Sequence, residues 1–332
     1  MGMPARALAF ATRLDAAFVL VLLAVYALAA VCPAPGPLVS PALGVRTAQV
    51  VLAVLLFVAG LRTAVPADLR EVVRRAALVA AGVAGRIVPL AAMLACLALV
   101  PGGPGQSLAG DIALGLTLVA AMPAANTSTA WTRRSSGDLT VCAGIIVATT
   151  LLSPVVIPAT LVLARGPAGT PAASTCAFLD LAVGVIAWVV VPIAAGILVG
   201  RTGGMVAGKP LGVGGSLGTL GALVLLNYLN ASQALPNVLD RGGPAAFGWA
   251  ACGAAALVPL CYAAGAAAGR VARASPAQGA ALFYAVGMGN TGLAGTLAAA
   301  LFPGRPATLY PIVLCTLLQP VVAALGHQRR RG

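Results

Sequence analysis

Ala121-Met-Pro-Ala-Ala-Asn-Thr-Ser-Thr129 and Gly287-Met-Gly-Asn-Thr-Gly292 are the two stretches whose reading decides the fold. Each interrupts an apolar run long enough to cross a bilayer. Each puts small polar groups where a lipid-facing helix would otherwise continue. Backbone released from helical hydrogen bonds is tolerated at membrane depth only when it is buried in protein or lines a polar cavity. Two such breaks at corresponding places in two halves of a chain point to the binding site of a secondary transporter.

The rest of the composition agrees with a membrane setting. Hydrophobic residues make up 60% of the 332 and charged residues 8%, against about 25% charged in a soluble domain. Mean hydropathy is +1.01, and a soluble fold is excluded. Aromatics are scarce, while the 40 glycines and many alanines allow helix backbones to approach closely, which is how membrane helices pack.

A window of about 20 residues places spans at 15–32, 48–64, 76–100, 111–131 and 139–164, then at 176–200, 212–229, 245–268, 278–302 and 308–325. The fold class expected is an all-α polytopic membrane protein of about ten transmembrane helices. Cut near residue 170, the spans form two sets of five, 14–170 and 171–326, and the fourth of each set carries a break. An odd number of spans per half forces the second half to insert upside down, so the halves are expected to be inverted repeats whose breaks cross near the midplane.

The net charge of +13 is a matter of loop orientation, not of nucleic acid. Alternate loops collect Arg6, Arg13, Arg62, Arg70, Arg74, Arg75, Arg133, Arg134, Arg201, Lys209, Arg270, Arg273, Arg329, Arg330 and Arg331 on one side. The other side holds only Arg46, Arg165, Arg241 and Arg305. The positive-inside rule then puts both termini in the cytoplasm, in a multi-pass protein of the cell's inner (plasma) membrane. The first apolar run is too long for a signal-peptide core and no A-x-A site closes it, so it is expected to stay as a span.

Catalysis and metal binding find no support. The seven cysteines show no C-x-x-C spacing and read as small buried hydrophobes. The one histidine, His327, falls in the basic tail, so His and Cys cannot assemble a metal site. Asp and Glu total seven, with no nucleophile–base pair in view. Asp138 is read as a cap of the fifth span, and Trp131, Trp188 and Trp249 as interfacial or packing residues.

The breaks carry the candidate site. Pro123 lacks an N–H and disfavours helix at the residue before it. Asn126, Thr127, Ser128 and Thr129 then supply a carboxamide and three hydroxyls within one turn. In the second break Gly287, Gly289 and Gly292 free the backbone, and Asn290 and Thr291 bring the polar groups. Half-helix N-termini offer N–H groups to an anion, and unwound carbonyls can hold a cation. Arg86 lies about ten residues (~15 Å) inside the third span and must face protein or water. Two readings of it stand open: a structural link to a helix C-terminus, or a fixed cation that replaces a bound ion or attracts an anion.

Several of these motifs resemble the bile acid:sodium symporter family. Met122-Pro-Ala-Ala-Asn-Thr-Ser-Thr-Ala-Trp-Thr132, Ser136-Gly-Asp-Leu139, Thr150-Leu-Leu-Ser-Pro154 with Pro158, and Phe283-Tyr-Ala-Val-Gly-Met-Gly-Asn-Thr-Gly-Leu293 carry the likeness. Phe57-Val-Ala-Gly-Leu61 followed by Asp68 adds to it. The resemblance implies ten helices, with spans 1, 2, 6 and 7 as a panel and spans 3–5 and 8–10 as a core. It also implies elevator-like or rocking alternating access around the crossed fourth and ninth spans.

The departures fall on the family's ion ligands. The acidic position before Val-Gly-Met is Ala285, and the Gln after the Met is Gly289. The fifth-span ligand positions are Cys142 and Ile146, and a third-span Gln aligns with Ala84 or Pro89. Ser128, Thr129 and Asn290 match.

The function expected is transport of a small organic anion. No cofactor is expected, and sodium stays only as an optional coupling ion. The partners expected are that anion, the lipid bilayer and, as one option for assembly, a second copy in a homodimer. Metalloid efflux like that of the related arsenite permeases is an alternative, against which stands Ala124 in place of their cysteine. A non-transporting scaffold or sensor is another, disfavoured because unwound helices cost stability.

Overall fold

The computed structural model describes residues 20–21, 23–33, 43–62, 75–101, 103–164, 171–202, 221–222, 224–229, 231–232, 243–302 and 304–329. Its helices are α1 (Leu43–Arg62), α2 (Ala76–Leu99), α3 (Leu108–Ala121), α4 (Ser128–Arg134), α5 (Leu139–Ala164), α6 (Pro171–Val185) and α7 (Val191–Thr202), then α8 (Gly243–Val271), α9 (Pro276–Gly287), α10 (Thr291–Leu301) and α11 (Leu309–Arg329). Residues 23–31 and 224–229 are helical as well. The expected start of the first span, the first part of the seventh (212–220) and nine of the loop cations, among them Arg6, Arg13, Arg165 and Arg241, lie outside the described residues.

The protein is an all-α, multi-pass membrane protein. Among the described residues, five helical segments are long and apolar enough to cross a bilayer: Ala76–Leu99, Leu139–Ala164, Phe178–Gly200, Ala245–Val271 and Pro306–Arg329. Their outer faces carry exposed Leu99, Leu163, Val183, Leu198 and Trp249, a surface that suits lipid and would associate in water. The fourth and ninth expected spans are each cut in two. Their pieces, α3 with α4 and α9 with α10, are too short to cross a bilayer alone.

Local chemistry sets the helix starts. Ser107 caps α3, accepting from the Gly110 N–H at 3.0 Å, so α3 begins three residues before the expected Asp111. Asp111 instead accepts from the Gly105 N–H at 2.8 Å. Ser275 and Gln278 form a reciprocal capping box with Pro276 at the first helical position, which starts α9 at 276 and not 278. Asp138 caps α5 as expected, accepting from the N–H groups of Thr140 (2.9 Å) and Val141 (3.2 Å) and pairing with Arg75 at 2.6 Å. α6 passes into α7 through a π-helical turn, Ile186–Val190. Pro192 follows it, and a proline there cannot donate and crowds the carbonyl four residues back.

Small residues bring the helices together. A Cβ on Gly60 would collide with the Ile193 carbonyl, and one on Gly196 with the Phe57 carbonyl, so α1 and α7 touch backbone to backbone. α8 packs along α9, α2 and α11, and α2 also packs on α3 and α5.

Two expectations need correction. Cys142, Cys261 and Cys315 are buried, but Cys32, Cys96 and Cys252 are exposed on the outer surface, where lipid serves a thiol as well as a core does. His327 is not a tail residue. It sits in the last turn of α11, 8% exposed, with Nδ1 at 2.8 Å from the Ser135 hydroxyl. Its ring meets Trp131 edge-on at 6.5 Å, and Trp131 stacks on Tyr284 at 6.2 Å.

Candidate functional site at the helix crossing

Pro123 forces the residue before it out of helical geometry, and Met122 is extended (φ −68°, ψ 149°) where α3 ends. α9 ends in the same way at Met288 (φ −105°, ψ 107°). Each break would leave backbone groups unpaired in an apolar bundle, at a cost of about 1–3 kcal/mol for each. They satisfy each other instead. The Ala125 N–H donates to the Met288 carbonyl at 2.8 Å, and the Asn290 N–H donates to the Pro123 carbonyl at 3.0 Å. Ala124 and Gly289 face one another in an isolated antiparallel bridge.

Side chains from three other helices complete the joint. The Ala124 N–H donates to Thr149 Oγ1 of α5 at 3.1 Å, and that hydroxyl donates in turn to the Ile145 carbonyl at 2.7 Å. Gln319 of α11, 5% exposed, brackets the Gly289 peptide. Its amide nitrogen donates to the Gly289 carbonyl at 3.1 Å, and its oxygen accepts from the Gly289 N–H at 3.3 Å. Arg86 of α2 is buried, and its Nη1 donates to the Val286 carbonyl at 2.9 Å while its Nη2 donates to that of Met122.

Sequence reasoning missed Thr149 and Gln319. The signal was there for Gln319: an amide in the middle of an apolar helix, directly before Pro320.

The expected polar residues divide into two groups. The Ser128 hydroxyl is buried, donates to the Ala125 carbonyl at 2.7 Å and lies 3.5 Å from Cys142 Sγ. The Thr129 hydroxyl donates to the Asn126 carbonyl at 2.7 Å. These two hydroxyls brace the turn into α4. The Asn126 carboxamide and the Thr127 and Thr291 hydroxyls make no hydrogen bond to the described residues, Asn126 being half-buried and Thr127 exposed. Asn290 caps α10 through its oxygen, which accepts from the Leu293 N–H at 3.1 Å, and its amide nitrogen is left for another partner.

Two details differ from the sequence-based expectation. The N–H groups of Ser128, Thr129 and Ala130 are taken up by the carbonyls of Ala125, Asn126 and Thr127 at 3.0–3.1 Å, so the start of α4 does not present them to an anion. The three glycines act through their size. None has a positive φ. A Cβ on Gly287 would strike the Tyr262 ring, one on Gly289 would lie 3.1 Å from Arg86 Nη2, and one on Gly292 would lie 3.1 Å from Leu226. Close approach, not left-handed backbone, is what requires them.

The positions matched to ion ligands have an apolar fate. Cys142, Ile146 and Ala285 pack together with Ala124, Val141 and Leu282 in one buried cluster. Of the two third-span candidates, Pro89 is buried and Ala84 is exposed.

A membrane bundle in which two interrupted helices exchange backbone hydrogen bonds, with polar groups left over at the joint, has the form of a transport protein. The model of the sodium bile acid symporter family matches residues 49–233, more than half of the chain, and the chain belongs to that family. The match includes the first break and stops short of the second. None of the curated proteins compared with the chain matches it.

Proposed function

We propose that this chain is a secondary transporter that moves a small organic anion by alternating access, with the helix crossing as its binding site. One observation carries the reading. Beside the paired breaks, in an otherwise apolar bundle, the Asn126 carboxamide, the Asn290 amide nitrogen and the Thr127 and Thr291 hydroxyls are unspent, and a buried guanidinium bonds the carbonyls at the ends of both half-helices. Neutral donors beside a fixed positive charge favour an anion over a neutral or cationic solute. The proposal takes residues 14–170 and 171–326 as inverted repeats of a ten-span protein in the plasma membrane, with both termini in the cytoplasm. Spans 3–5 and 8–10 then move as a core against a panel of spans 1, 2, 6 and 7, and no cofactor takes part.

Proteoliposomes tested with a panel of organic anions, in Na⁺, in K⁺ and under a proton gradient, are expected to show saturable uptake of at least one anion. Uptake of arsenite alone, or of no solute at all, would overturn the reading. In the same protein, single cysteines at Gly103 and Gly243 should label from outside, and those at Ser136 and Arg273 only from inside. Labelling of Gly103 and Ser136 from one face would reject the topology.

A further inference from the structure

We infer that Arg86 is a built-in cation that holds the helix crossing together in the place of an exchangeable ion, so that the crossing assembles without sodium. The inference deepens the transport reading above and rests on it only for its consequence, not for its test.

The electrostatics begin with the helices. α3 and α9 both end at the crossing, and each C-terminus carries unpaired carbonyls equivalent to about half a negative charge. Two such ends brought together call for a cation. The guanidinium meets both at once, through the Met122 carbonyl at the end of α3 and the Val286 carbonyl in the last turn of α9. It does so from a third helix and while buried. Its planar fork suits two acceptors held at a fixed spacing, and it keeps its proton at any physiological pH.

The surroundings are shaped for it. Gly289 lies directly over Nη2, with no side chain to displace the guanidinium, and Gln319 holds the Gly289 peptide in that position. No carboxylate among the described residues stands at the crossing. Asp111 and Asp138 are engaged at helix starts, and Asp180 lies exposed on α6. The carbonyl dipoles are therefore the counter-charge to Arg86. The pocket beside them is filled by Cys142, Ile146 and Ala285, which offer no oxygen to a hard cation. A second cation would enter this joint against the guanidinium's own charge.

Because the guanidinium stays attached to the protein, a transport cycle would carry the charge of the substrate alone. The test needs no substrate. In detergent, the wild-type melting temperature is expected to be the same in NaCl, KCl and N-methylglucamine chloride. Arg86→Ala is expected to melt at least 5 °C lower and to regain part of that loss, saturably, with millimolar guanidinium chloride. Arg86→Lys, which keeps the charge and loses the fork, should melt between the two and stay indifferent to sodium. A saturable rise of the wild-type melting temperature with Na⁺ would overturn the inference. So would Arg86→Ala or Arg86→Lys melting as the wild type does. If Arg86→Ala does not fold, the wild-type titration and Arg86→Lys still decide. Failure of the anion uptake panel leaves these melting results standing, and the reverse also holds.

Discussion

Asn126→Ala is expected to weaken substrate binding by roughly thirtyfold while leaving the protein's melting temperature where it is in the wild type. The carboxamide is half-buried at the crossing and bonds to no described residue, so its removal takes nothing from the fold. Loss of one charge-assisted hydrogen bond to a bound anion amounts to about 2 kcal/mol, or roughly thirtyfold in affinity. Asn290→Ala should behave differently. Its oxygen caps α10 through the Leu293 N–H, and that loss costs about 1 kcal/mol of stability in addition to the ligand contact. Asn290→Ser, which keeps a capping oxygen, should recover the melting temperature and not the transport. Ligand binding and thermal melting measured on the three variants separate these outcomes. Wild-type affinity in both Asn126→Ala and Asn290→Ser would move the binding site away from the crossing.

Gln319→Leu is expected to give the largest loss of stability among conservative changes in volume. The Gln319 amide is matched to both polar groups of the Gly289 peptide. Leucine fills the same space and leaves the Gly289 N–H unpaired beside a buried guanidinium, at about 1–3 kcal/mol, while the Gly289 carbonyl keeps the Thr291 N–H at 2.9 Å. The loss should appear as a lower melting temperature. It should also loosen the seat of Arg86, since Gly289 lies against Nη2. A variant that melts with the wild type would show that the Gly289 peptide finds other partners.

The stabilising groups at the crossing come from five separate stretches of chain, which explains what could be read in advance. Pro123 and its neighbours announced a break, because a residue without an N–H cannot continue a helix and restricts the residue before it. The second break was legible as a cluster of glycines around Asn290, but the reason for the glycines was not. Their work is to let Tyr262, Arg86 and Leu226 approach, and those neighbours are set by packing. The division between Asn126, which is free, and Ser128 and Thr129, which brace the turn, also escaped the sequence. All three are small polar residues in one turn, and only the path of the backbone decides which side chain finds a carbonyl.

Arg86 shows the boundary most sharply. A charge in an apolar span must be buried against protein or water, so the sequence by itself required that it have partners. It could not say which, and two readings stood equally open. The family, the all-helical membrane class and the two interruptions were determined by local patterns: apolar runs of membrane length, helix breakers and motif order. That the breaks pair with one another, that Gln319 and Thr149 serve them, and that one guanidinium spans the ends of both half-helices was decided by tertiary structure. The physical reason is that a hydrogen bond or a helix-end charge is satisfied by whatever lies within about 3 Å, and residues 36 and 200 positions from Arg86 reach that distance only once the helices have packed.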